Sequence, residues 1–268
     1  MTRTFLALLH FDGSGFHGWQ RQPARRTVQQ DLESALERLA AAPTRAHAAG
    51  RTDAGVHALG LPVSFLMPDR WTAPAVHRAL NAVLPPDIWV AEVHAMRDGF
   101  HARTRATGRR YRYDVGVTDA ARSPFRRRWC WALAKPLDGS ALADAAAALP
   151  GTHDCRAFAV TGQEKPHWRC TLREARWEAV DDGAAWRFHV AADRFLHHMV
   201  RLLVGTMVDI GLGRRPAADM TRLLGRIDND ETSPPAPAEG LFFVSADYPA
   251  EWYLGTAVAQ AAEGVAHA

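Results

Sequence analysis

At 268 residues and 47% hydrophobic, the chain can bury one large core or two modest ones. No apolar run approaches the ~18 residues of a membrane span, and the apolar start runs straight into a polar turn with no small-residue cleavage site, so a first strand and no signal peptide are expected there. The formal charge of +3, with every basic residue except Lys135 and Lys165 an arginine, leans towards an anionic partner, while Cys130, Cys155 and Cys170 form no CxxC pair and argue for reduced thiols rather than a disulfide framework or a zinc site.

Residues 5–11 read as a strand, followed by Asp12-Gly-Ser-Gly-Phe-His-Gly18. Gly13, Gly15 and Gly18 fit GxGxxG after a strand, but a dinucleotide fingerprint needs a helix opening at the glycines, and Pro23 intervenes. The helix signal comes only at Thr27, where Thr27 and Gln30 form a capping box ahead of an apolar face of Val28, Leu32, Ala35, Leu36 and Leu39. The nucleotide reading is therefore rejected. Two strand-like runs, 44–49 and 56–66, flank Gly50-Arg-Thr-Asp-Ala-Gly-Val-His57. Two glycines bracket this charged turn, so the backbone can bend sharply and approach a ligand. Arg51 and Asp53 share a face at i and i+2, where the guanidinium could pair with the carboxylate and keep it ionised. A helix over 72–83 closed by Pro85-Pro86 and a strand over 88–94 complete a β-α-β-β-α-β order.

The second half repeats the theme. Residues 109–117 alternate, with Tyr111, Tyr113, Val115 and Val117 on one face and Arg110, Arg112 and Asp114 on the other. Asp138 caps a helix that Gly151 ends, two strands over 171–180 and 186–192 flank Asp181-Asp-Gly183, and a helical stripe runs over 195–210. A short helix at 217–224, a Pro-rich loop at 233–238 and a last strand at 241–245 follow. The expected division is a domain over 1–105, a second over 106–250, and a mobile tail over 251–268. Two clusters, Arg103 to Arg112 and Arg122 to Arg128, interleave with Tyr111, Tyr113, Trp129 and Trp131. Basic groups for phosphates beside aromatic platforms for bases suit single-stranded RNA. His197 and His198 point about 100° apart on a helix, with no carboxylate or cysteine at ligand spacing, so no metal is expected there.

The Gly50–His57 wording, the Asp12–Gln22 opening, Phe100-His-Ala-Arg103, Phe195-Leu-His-His-Met-Val-Arg201 and Ala238-Glu-Gly-Leu241 together resemble the TruA-type tRNA pseudouridine synthase family, in order along the chain from Phe5 to Tyr248. The resemblance implies an α+β fold of two similar domains, each a mostly antiparallel sheet with helices on one side, the sheets meeting at a basic cleft. It implies a cytoplasmic homodimer, without cofactor or metal, that isomerises uridines 38–40 of the tRNA anticodon stem-loop. It carries the catalytic aspartate onto Asp53, its arginine partner onto Arg51, the tyrosine over the flipped uracil onto Tyr111 and a leucine beside the site onto Leu241. Arg109 and Arg126 are the expected RNA contacts. The chain departs from the family pattern at Cys155 and Ala157, and its 161–168 loop is unusual. Two other readings use the same residues: an RNA-binding module without catalysis, and a hydrolase built on Asp53 with Asp12.

Overall fold

The computed structural model describes residues 1–160 and 168–255. The loop singled out at 161–168 falls, except for Trp168, outside the described residues, as does the expected tail from 256 onward. The chain forms two compact units, Met1–Thr107 with the described residues from Phe243, and Gly108–Phe242.

In the first unit the element order is β1 (Thr2–Phe11), α1 (Val28–Ala40), β2 (His47–Ala48), β3 (His57–Pro68), α2 (Ala73–Val83) and β4 (Ile88–Met96). β1 is antiparallel to both β3 and β4, with Phe5 opposite Phe65 on one side and Ala95 on the other. Its long apolar run follows from this central place, because a strand covered by neighbours and helices leaves little solvent face: Phe5, Leu6, Ala7 and Leu9 are all buried. Helix α1 starts where Thr27 Oγ1 accepts the Gln30 N–H at 3.3 Å and stops at Ala41 in the left-handed region. Its stripe of Val28, Leu32 and Leu36 packs on the sheet, each side chain contributing about 1.5–3 kcal/mol by burial. Helix α2 opens behind Thr72 with a proline in its first turn, and Pro85 lies two residues past Val83.

The second unit holds β5 (Gly108–Gly116), β6 (Trp131–Ala132), α3 (Gly139–Ala147), β7 (Gly151–Asp154), β8 (Arg169–Val180), β9 (Ala185–Ala192), α4 (Met199–Gly211) and α5 (Asp219–Leu224). The strands run in the order β5-β9-β8-β7, all antiparallel, while β6 returns parallel to β5. Asp138 caps α3 by accepting the Ser140 and Ala141 N–H groups. The last strand, β10 (Leu241–Asp247), begins in this unit and ends in the first, where its later residues lie beside β3: a Cβ on Gly60 would sit 2.5 Å from the Val244 carbonyl oxygen.

The α+β class with mostly antiparallel strands is therefore as expected. Three boundaries differ. The strand expected at 44–49 shortens to His47–Ala48, because the chain leaves the ladder to enter the Gly50–Val56 turn. The helix expected from 195 begins at Met199, because His198 takes φ +62° and breaks the run ahead of it. Gly151 does not end α3 but starts β7, at φ +128°. The 251–268 segment begins inside a short 3-10 turn, Ala250–Trp252, and the Trp252 ring lies 5.8 Å from Phe100.

Candidate active site

The turn carrying Asp53 leaves β2 after Ala49, whose N–H donates to the Pro62 carbonyl at 2.8 Å, and re-enters the sheet at β3. Within it, the Asp53 carbonyl accepts the Val56 N–H at 3.2 Å, and Gly55 takes φ +80°. These two features close a tight reversal that holds the half-buried Asp53 at its bend.

The glycine-rich loop after β1 clamps this turn from the side. Trp19 N–H donates to the Thr52 carbonyl at 3.0 Å, and Gly55 N–H donates to the Phe16 carbonyl at 3.3 Å. A Cβ on Gly13 would lie 2.1 Å from the Val56 oxygen, and one on Gly18 would lie 2.5 Å from the Thr52 oxygen. Two main chains meet there with no room for a side chain between them. Gly13 N–H also donates to Nδ1 of the buried His57 at 3.0 Å, which makes that nitrogen an acceptor. Gly13 and Gly18, the outer glycines of the GxGxxG spacing, are thus explained by packing against the Asp53 turn. Helix α1 begins ten residues past Gly18, so only the short 3-10 turn Gly13–Gly15, and no α-helix, opens at the glycines.

Helix α1 anchors the approach to the turn. The carboxylate of Glu33, buried on α1, accepts the Ala46 N–H at 3.0 Å and the Gln29 amide at 3.0 Å, and lies 3.6 Å from Arg21. Gln29 N–H in turn donates to the Trp19 carbonyl at 3.0 Å, so one helix end ties the glycine loop and the strand before Asp53 together. Asp12, the second carboxylate of the hydrolase reading, caps the 3-10 turn through the Ser14 N–H at 3.0 Å and sits 3.3 Å from His57 Nδ1. It is part of the clamp.

Thr52 is buried, and its Oγ1 meets no hydrogen-bond partner among the described residues. An unpaired buried hydroxyl costs about 1–3 kcal/mol. Replacing it by the isosteric valine removes that cost, so Thr52→Val is expected to melt about 2–4 °C higher per kcal/mol recovered. A calorimetric scan showing a lower melting temperature would place a bonding partner at that hydroxyl.

Arg51 is exposed, and the ion pairs of the described residues include none between Arg51 and Asp53. In the second unit, Tyr111 lies in β5 opposite Val190, half-buried, its ring edge-on to Phe195 at 5.0 Å. Tyr113 is fully buried and donates its hydroxyl to the Pro237 carbonyl at 2.7 Å, with burial pushing the phenol well above its usual range. Arg109 donates to the Asp193 carbonyl at 2.8 Å, Arg126 pairs with Asp181, and Leu241 is buried at the first position of β10. The polar face expected for Arg110, Arg112 and Asp114 is only partly a solvent face. Asp114 is buried and bonded by Arg187 at 2.9 Å from β9, and the Arg112 guanidinium sits over the Phe242 ring at 4.6 Å. Burial lowers the Arg112 pKa and removes that residue from the exposed basic cluster.

Sequence reasoning missed the roles of Gly13, Gly18 and Glu33. The signal for the glycines was present, since a glycine motif without its helix needs another reason for being small. Nothing in the sequence paired Glu33 with Ala46.

A family model described as tRNA pseudouridine synthase matches residues 7–103 and 145–249, reaching both units. The match defines the class as an isomerase acting on tRNA. Relatives match over nine-tenths or more of the chain. The chain is 40% identical to tRNA pseudouridine synthase A of Myxococcus xanthus, with 96% of this chain and 97% of that protein covered. It is likewise 40% identical to the proteins of that name from Moorella thermoacetica, covering 90% and 97%, and Geobacillus kaustophilus, covering 90% and 93%. The chain belongs to the tRNA pseudouridine synthase family.

Proposed function

We propose that this chain converts uridines 38–40 of the tRNA anticodon stem-loop to pseudouridine, with Asp53 as the catalytic residue. The observation that supports this most directly is the double clamp on the Asp53 turn by Gly13 and Gly18, which fixes one carboxylate at a tight bend. The reaction breaks the bond between uracil N1 and the sugar C1′, rotates the base, and joins C5 to C1′. The proton leaves C5, and N1 gains one from solvent. Nothing is exchanged with a second substrate, so the chemistry needs no cofactor. A carboxylate beside C1′ can act at the sugar or the ring and can then take the C5 proton.

Arg51, two residues before Asp53, is the cation assigned to the carboxylate when RNA is bound. Tyr111 stacks on the flipped base, returning about 1–3 kcal/mol against a flipping cost of a few kcal/mol. Leu241 supplies apolar wall. Arg109 and Arg126 contact phosphates while sharing their present partners, since a guanidinium has five donors. The protein is proposed to act as a homodimer in the cytoplasm; no helix among the described residues is long and apolar enough to cross a membrane. The test is tritium release from tRNA carrying uridine labelled at C5. Release to water with the tRNA intact supports the isomerase, and free uracil without release supports a hydrolase.

Tyr111 separates stacking from scaffolding. Tyr111→Phe keeps the ring edge on Phe195 and loses the hydroxyl; Tyr111→Ala loses both. Phe is expected to bind tRNA normally and turn over about tenfold or more slower. Ala is expected to lose both rate and affinity, with about 3 kcal/mol of stability. Single-turnover rates decide it, with melting temperatures establishing that both variants are folded: a Phe variant as fast as wild type removes the Tyr111 hydroxyl from the chemistry.

A further inference from the structure

Between the 3-10 turn at Asp119–Arg122 and β6, six consecutive residues, Pro124 to Trp129, are all exposed. Phe125 shows 86% of its surface. The segment is nonetheless built rather than loose. Pro124 fixes one φ. The Ser123 carbonyl accepts the Arg126 and Arg127 N–H groups at 2.9 and 2.8 Å, and Ser123 Oγ accepts the Phe125 N–H at 3.3 Å. Ala121 seats the base of the loop on β5: it is buried, and a Cβ on Gly116 would lie 2.2 Å from its own. The turns hold the phenyl ring outward at little further cost in chain entropy.

The surroundings of the ring say what it meets. Arg122, Arg126, Arg127 and Arg128 flank it, against the carboxylates of Asp119 near Arg122 and Asp181 on Arg126. Arg127 has no ion pair among the described residues, and the Arg128 guanidinium sits 5.9 Å over the Trp129 ring. A second copy meeting this loop across a two-fold axis would set arginines against arginines. An apolar protein face would have to strip water from several guanidiniums. RNA offers phosphates to the arginines and a π-face to the ring.

We propose that the Ser123–Trp129 loop extends the tRNA contact already assigned to Arg126, with Phe125 stacking on an unpaired base other than the uridine being isomerised and the other arginines of the loop holding the flanking phosphates. This rests on the reading of the chain as a tRNA enzyme. It is measured by affinity alone, so it separates from the chemistry: tritium release by the wild-type protein tests the isomerase, and binding tests the loop.

The experiment is filter binding of an unmodified tRNA transcript to the full chain and to the Phe125→Ala, Phe125→Leu and Phe125→Trp variants, with sedimentation velocity of each. Melting curves matching wild type establish that all are folded. The expected result is affinity about tenfold lower for Ala and for Leu, which lack a π-face, and close to wild type for Trp. Wild-type affinity in the Ala variant overturns the proposal. So does a Leu variant that binds like wild type, since the contact is then apolar burial without stacking. A Phe125→Ala variant that sediments as a smaller species also overturns it, by assigning the ring to a contact between copies.

Discussion

Asp53→Asn is expected to abolish pseudouridine formation, by about a thousandfold or more, while tRNA affinity stays within about threefold. The substitution is isosteric, and main-chain hydrogen bonds that it leaves in place close the turn: the Asp53 carbonyl accepting from Val56, the Thr52 carbonyl accepting from Trp19. The Asn side chain therefore occupies the place of the carboxylate without its charge or basicity. A thousandfold loss corresponds to about 4 kcal/mol of transition-state stabilisation, in the range for removing one group that acts directly on the reacting atoms. The RNA-binding module without catalysis predicts no change in any function. A variant that keeps a tenth of the rate has lost only about 1.4 kcal/mol and would sink the assignment.

The second large effect lies in the clamp. Gly13→Ala puts a methyl group 2.1 Å from the Val56 oxygen, and both contacting groups are backbone, so neither can rotate away. Gly18→Ala adds a methyl group 2.5 Å from the Thr52 oxygen and requires an L residue at φ +82°. Overpacking of this kind costs about 1–3 kcal/mol, and the left-handed backbone about 1–2 kcal/mol more for Gly18. Activity is expected to fall further than stability, because displacing a catalytic group by about 1 Å can cost on the order of a hundredfold in rate. Gly15 is the internal control. Its added Cβ would meet only side-chain ends, Arg26 at 3.4 Å and Asp87 at 3.6 Å, so Gly15→Ala is expected to be nearly neutral. Thermal melts and single-turnover rates for the three variants check this order. A damaging Gly15→Ala beside a harmless Gly13→Ala would contradict the clamp.

The long elements were legible because their residues serve one local purpose each. Thr27 caps α1 and Asp138 caps α3 as their types suggest, and the apolar run of β1 predicts a buried strand. The start of α4 was not legible. The periodic residues from 195 continue smoothly into the helix, and only the left-handed His198 breaks them. The strands β6 and β7, two and four residues long, are too short to show alternation. The same limit applies near Tyr111. Alternation marks Asp114 as outward-facing, but β9 places Arg187 directly opposite, and a cross-strand ion pair can be seen only once the register is known. The wording of the Asp53 turn carried the family likeness, while the reason for its shape lay some forty residues upstream, in glycines that read equally well as a nucleotide motif.

The most direct test incubates the protein with an unmodified tRNA transcript, measures the intact mass of the RNA, and maps alkali-stable carbodiimide adducts along it. The account predicts an unchanged mass and new adducts at uridines 38–40, absent with Asp53→Asn. A mass lower by one uracil, a cleaved backbone, or a transcript without new adducts would contradict it.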